Sequence, residues 1–188
     1  MSSFKRSLLT AFLFFFHSTL LAQQLADISP AMRAALKKSF AQASSFPDRF
    51  EAEVWLIDMS GRIEHLVSDK LERIRILKAV HANASAQQLP IDIVLSLIET
   101  ESHFDRFALS PAGAQGLMQI MPFWKKEIGE AQDNLIDIDT NIRYGSSILR
   151  HYLDIENGDM SKALARYNGS RGKSIYPDKV FSYQQKYQ

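Results

Sequence analysis

Residues Ile98 to Met121 read IETESHFDRFALSPAGAQGLMQIM. The run joins the end of an apolar helical pattern to a glycine-bearing loop and then to a second apolar segment. Working back from it, Pro90 suits the first position of a helix, where its missing N–H is not needed. Asp92 then falls in the first turn, where the helix dipole favours negative charge. Ile91, Val94, Leu95 and Ile98 recur at three- and four-residue spacing and define one apolar face. The same spacing carried forward reaches Glu101 and Ser102, so Glu101 is expected on the buried stripe, while Glu99 is expected to point elsewhere, into solvent. A carboxyl on an apolar face is costly to ionise. Its pKa rises above the ordinary ~4.3, and a Glu that keeps its proton near neutral pH can serve as a general acid. A buried Glu that pairs with an Arg or caps a backbone N–H is the competing reading of the same residue.

Working forward, Ser110-Pro111-Ala112-Gly113-Ala114-Gln115-Gly116 is a tight loop whose two glycines allow positive φ or close backbone approach to a ligand. Leu117-Met118-Gln119-Ile120-Met121 follows, closed by Pro122. Gln119 stands out, because an amide among Leu, Met and Ile needs a specific partner. Taken alone, the loop reads as a plain turn between helices.

The chain has 188 residues, enough for one domain with a real core. Its 22 Lys and Arg are interspersed with 21 Asp and Glu, which argues against a nucleic-acid surface. The absence of cysteine excludes disulfides, thiolate metal sites and a Cys nucleophile. The five histidines show no metal-ligand spacing, and His103 reads as a rim residue. Met1 to Ala22 has the form of a signal peptide, with Lys5 and Arg6 ahead of the apolar core Leu8 to Phe16. The core is short for a membrane span of ~20 residues. An uncleaved N-terminal anchor is the alternative. Cleavage would remove two positive charges and leave a formal charge of −1 in place of +1. The expectation is an exported, periplasmic protein with no membrane span once the signal is removed.

Periodicity predicts helices throughout and no convincing strands. Helices are expected over residues 28–45, from Arg49 to Val67, from Ser68-Asp69 to about Gln88, from Pro90, over Phe123 to Ile128, from Asn141 to about Ile155, over Met160 to Tyr167, and from Pro177 onward. Gly129 and Asn157-Gly158-Asp159 mark stops and caps. Alternating charge along Lys70, Glu72, Arg73, Arg75 and Lys78 reads as a solvated helix face. The fold class is all-α, with an N-terminal helical extension over residues 23–88 packed on a catalytic part over residues 89–188.

Several of these residues together resemble a known signature. Glu101-Ser102, Phe104, Ser110, Gly113-Ala114, Gly116-Leu117-Met118-Gln119 and Pro122 are similar in type and spacing to the soluble lytic transglycosylase (SLT) family. Asn141-Ile142 with Gly145 and Leu149 resembles its third motif, and Ala163 with Ala165-Arg166-Tyr167-Asn168 its Ala-x-x-Tyr-Asn motif. The resemblance covers about Leu89 to Tyr183. It implies a lysozyme-like fold, peptidoglycan glycan strands as substrate, and no metal or organic cofactor. It implies that Glu101 is the single acid/base in a non-hydrolytic cleavage of the β-1,4 bond between N-acetylmuramic acid and N-acetylglucosamine, leaving 1,6-anhydro ends. Substrate assistance of this kind is a recognised exception to the two-carboxylate scheme. By the same resemblance Ser110 orients Glu101, and Gln119, Met118 and Gly116 with the Gly113–Gly116 backbone contact or orient the sugar. Tyr167 lies close to Glu101, and Asn168 holds its helix end.

The sequence departs from the pattern twice. Ile148 stands where many members have Tyr, so that Tyr144 is a candidate replacement, and Gly169-Ser170-Arg171-Gly172 replaces the usual Ala-Gly-Pro-Gly. Two other readings remain. A hydrolytic muramidase would need a second carboxylate, for which Asp105 and Asp154 are the candidates; a glycan-binding or assembly scaffold would keep the fold without turnover. No cell-wall or secretion partner is specified by the sequence.

Overall fold

The structure is a computed structural model, and it describes residues 49–188. The expected leader over Met1–Ala22 and the expected helix over residues 28–45 lie outside the described residues. Seven helices follow in order: α1 Arg49–Arg62, α2 Lys70–Ala86, α3 Ile91–Ser102, α4 Trp124–Ile128, α5 Ile138–Ile155, α6 Met160–Tyr167 and α7 Ile175–Gln184. Among the described residues the β-structure amounts to two isolated antiparallel bridges, Leu109 to Gln115 and Gln115 to Ile120. The all-α expectation holds.

The helix starts follow from local chemistry. Asp69, Asp137 and Asp159 each accept a hydrogen bond from the backbone N–H three residues on, at 2.7, 3.1 and 3.0 Å, and so cap α2, α5 and α6. The Asp137 cap starts α5 three residues earlier than the expected Asn141. Pro90 is the cap residue of α3 rather than its first helical residue. Helix α7 begins at Ile175, ahead of the expected Pro177. Pro177 fits inside its first turn because the N–H it lacks has no helical partner there.

Helix α3 is more deeply enclosed than a one-faced helix. Helix α2 packs on one side and α7 on another, so that nine of its twelve residues are buried. One apolar cluster runs from Leu56, Met59 and Ile63 of α1 through Ile76 and Val80 of α2 to Leu95, Ile98, Leu149, Leu164 and Val180. Helices α1 and α2 therefore share a core with the later helices. Arg73 departs from the solvated face expected for it. It is 5% exposed, and its Nη1 donates to the carbonyls of Val67 and Ser68 at 2.7 and 2.9 Å. The guanidinium thereby satisfies acceptors beyond the end of α1 that would otherwise be orphaned. No helix among the described residues is long and apolar enough to cross a membrane.

Candidate active site

Glu101 is the second-last residue of α3. The helix stops there because His103 and Phe104 both take left-handed backbone angles, φ 50° and 64°. Two successive non-glycine residues in this region are costly and persist only where the surroundings fix them. Phe104 supplies the fixing: it is 2% exposed and packs against Tyr187 with ring centroids 6.3 Å apart. Ser102 ties the same helix end to the loop. Its hydroxyl donates to the Leu117 carbonyl at 2.8 Å and shares the Ile98 carbonyl at 3.2 Å.

The loop from Ala108 to Ile120 is knitted to itself. Gly116 N–H donates to Ala108 O at 2.9 Å, and Gln115 and Ile120 exchange two backbone bonds at 3.0 and 2.9 Å. Gly116 has φ 75°, and a Cβ there would meet Asn141 Nδ2 and Leu135 O at 2.5 Å, so only glycine fits. Asn141 is the central clamp. Its Oδ1 accepts from Met118 N–H at 2.7 Å, and its Nδ2 donates to Gln115 O at 2.8 Å and Leu135 O at 2.7 Å. Tyr167, from the end of α6, donates its hydroxyl to the Met118 carbonyl at 2.9 Å. Beneath it, a Cβ on Gly145 would lie 2.3 Å from Met118 Sδ, which is how closely α5 approaches the loop.

The structure also places a residue to which the sequence pattern assigned no role. Tyr176, in the first turn of α7, donates its hydroxyl to Glu101 Oε1. Lys179, one turn on, reaches the Thr100 carbonyl at 3.5 Å. Burial pushes the Glu101 carboxyl from its ordinary 4.5 up to about 7, against the lowering pull of the Tyr176 hydroxyl and the Lys179 ammonium. Burial and the neighbouring Glu101 push both Tyr167 and Tyr176 well above the ordinary phenol value, so each remains a donor. The result is a partly buried acid that holds its proton near neutrality, ringed by two phenols and one cation.

The other candidate residues fall as follows. Ser110 Oγ accepts from the Ala114 N–H of its own loop at 3.0 Å. Gln119, with φ 49°, turns its Nε2 onto Gly116 O and Ala108 O at 2.9 and 3.2 Å. These are the partners an amide among apolar neighbours needs. The Met118 side chain is fully buried, leaving its backbone to orient Tyr167. Asn168 is exposed and follows α6 as its cap. Tyr144 cannot replace the missing aromatic at Ile148 as a sugar platform. It is fully buried, with its hydroxyl on Asp133 Oδ2 at 2.6 Å. Asp105 and Asp154 are exposed; the first accepts from Phe107 N–H at 2.8 Å and the second pairs with Arg150. Glu99 corrects a sequence expectation: it is 3% exposed, not solvated.

The sequence compares directly with known proteins. The family described as the transglycosylase SLT domain matches residues 78–186. A transglycosylase of Enterobacteria phage PRD1 is 38% identical over 101 residues, which is 53% of this chain and 37% of the phage protein. An inactive variant of the lytic transglycosylase Slt from Pseudomonas aeruginosa, solved by X-ray crystallography, is 25% identical, with a TM-score of 0.47 over 58% of this chain and 22% of that one. The chain thus spans little more than a third of the phage protein and under a quarter of Slt. With the family match covering more than half of its length, from within α2 to just beyond α7, the chain belongs to the transglycosylase SLT family.

Proposed function

We propose that the protein is a peptidoglycan lytic transglycosylase in which Glu101 is the only acid/base. The observation that carries the reading is the Glu101 carboxyl, partly buried at a helix end and protonated up to about pH 7. In the first step Glu101 gives its proton to the glycosidic oxygen between N-acetylmuramic acid and N-acetylglucosamine. The bond from that oxygen to C1 breaks, and the acetamido oxygen of the muramic sugar closes on C1. In the second step the Glu101 carboxylate takes the proton of the C6 hydroxyl, whose oxygen displaces the acetamido group from C1. The proton returns to Glu101, a 1,6-anhydro ring is formed, and no water is consumed.

The neighbours of Glu101 support this cycle. Tyr176 steadies the carboxylate formed after the first transfer, and Lys179 favours the same ion. Tyr176 and Lys179 both act on this carboxyl, and Tyr167 lies within its field. The candidates for the water-activating base of an inverting hydrolase, Asp105 and Asp154, are exposed and already engaged, by Phe107 N–H and by Arg150. The self-bonded loop from Ser110 to Gln119 would present backbone groups to the sugar, and Tyr167 would hold that loop against α6. Residues 23–88 would serve as a helical extension of the catalytic part, and a leader over Met1–Ala22 would deliver the chain to the periplasm, where its substrate lies.

Digestion of purified peptidoglycan by the chain from Gln23 onward, with mass spectrometry of the fragments, tests the reading. Products one water lighter than reducing muropeptides are expected, and reducing ends would overturn it. Undiminished digestion by a Glu101→Gln chain would remove Glu101 from its role.

A further inference from the structure

The proposed reaction leaves one buried carboxylate unused. Glu99 stands two residues before Glu101 and is 3% exposed. Both of its oxygens are occupied: Oε1 accepts from Lys186 Nζ at 2.6 Å, and Oε2 accepts from the Tyr187 hydroxyl at 2.5 Å. Both partners come from the four residues after α7, where the chain doubles back through a turn from Tyr183 O to Lys186 N–H. A carboxylate this deeply enclosed is tolerated only with its partners in place. The ionised Glu99 therefore requires that short segment to be docked.

The same segment is gripped from three other directions. Gln188, together with Gln184 at the end of α7, donates an amide to Asp92 Oδ2 at the start of α3, at 3.4 and 2.8 Å. Arg62 Nη1, at the end of α1, donates to the Lys186 and Gln188 carbonyls at 2.7 and 3.0 Å. The Tyr187 ring lies against Phe104, the residue that turns the chain away from α3. At its other end α7 carries Tyr176 to Glu101 and Lys179 to Thr100. Helices α3 and α7 are thus tied to each other at both ends.

We propose that Glu99 is a positioning residue: through Lys186 and Tyr187 it locks residues 184–188 onto α3 and so holds the Tyr176 hydroxyl on the Glu101 carboxyl, with Arg62 extending the lock to α1. The catalytic part of this inference rests on Glu101 as the acid; the geometric part does not. The titratable and charged groups facing Glu101 are Tyr176 and Lys179 of α7 and Tyr167 of α6. Those facing Glu99 are Lys186 and Tyr187.

The test uses the full chain with Tyr187→Phe and, separately, Glu99→Gln. The Glu101 carboxyl is titrated by carbon-13 NMR, and turnover of a soluble glycan oligomer is measured alongside. Tyr187→Phe leaves all charges in place. It is expected to raise the Glu101 midpoint by about one unit, as the hydrogen bond from Tyr176 weakens, and to lower kcat about fivefold with KM within twofold. Glu99→Gln removes a nearby negative charge, which by itself would lower the midpoint; a rise in this variant comes only from loosening of the lock. An unmoved midpoint in Tyr187→Phe, or a fall in Glu99→Gln, overturns the proposal even if both chains melt earlier. Should Glu99→Gln not fold, Tyr187→Phe decides alone. Should the unaltered chain leave glycans uncut, the catalytic reading fails while the titration still decides the lock.

Discussion

Replacing Glu101 with Gln should make the protein more stable, and only on the alkaline side. In the folded chain burial holds the Glu101 carboxyl at about 7, against an ordinary 4.5. Between those two values the folded state binds more protons than the unfolded state. Stability therefore falls as pH rises through that window and is level above it. A displacement of about 2.5 units, at about 1.4 kcal/mol each, amounts to about 3 kcal/mol. This is an upper value, because the carboxyl is partly reached by water. Gln does not titrate, so its advantage over Glu should grow by up to about 3 kcal/mol from pH 4 to pH 8. In a chain of 188 residues about 1 kcal/mol moves the melting temperature by about 2–4 °C, so the gap should widen by up to about 6–12 °C. Melting of both chains, followed by circular dichroism across that range, reads the effect. Any constant difference in packing between acid and amide cancels in the comparison. A gap that does not change with pH, or that narrows as pH rises, would refute the assignment of a buried, proton-holding acid.

Three further outcomes follow from the same geometry. Cleavage measured as kcat/KM should fall about tenfold per pH unit above about 7, where Glu101 has lost the proton it must donate. Gly145→Ala should destabilise the fold by about 1–3 kcal/mol in urea unfolding, because its Cβ would sit 2.3 Å from Met118 Sδ and 2.8 Å from Met118 Cβ. Ser102→Ala should cost about 1–2 kcal/mol by the same measurement, since it leaves the Leu117 carbonyl without its donor.

What could be read from the sequence was local. The cap at Asp69, the end of α3 near Glu101 and the need of Gln119 for a partner all depend on residues within about eleven positions of one another. What could not be read depends on distant chain. Tyr176 meets Glu101 across 75 positions, and nothing around Ile175-Tyr176-Pro177 announces it. Glu99 looked solvated because helical spacing says which residues share a face, not what arrives later to cover another face. Its partners lie 87 and 88 positions away. Tyr144 looked available for stacking because an aromatic near a motif carries no mark of depth; Asp133 and the close approach of Gly129 hold it inside. Asn141 stood within a family motif, yet its part in fixing the loop appears only when Met118, Gln115 and Leu135 are seen to converge on it.

That convergence bears on protein engineering. The segment from Ala108 to Ile120 closes its own turns, but three of the bonds that fix its outline against the body converge on one amide projecting from α5. Transplanting the segment by itself onto a foreign scaffold would move the letters without the mould. A chimera that inherits the donor's shape must import Asn141, and a helix to carry it at the same height, along with the graft.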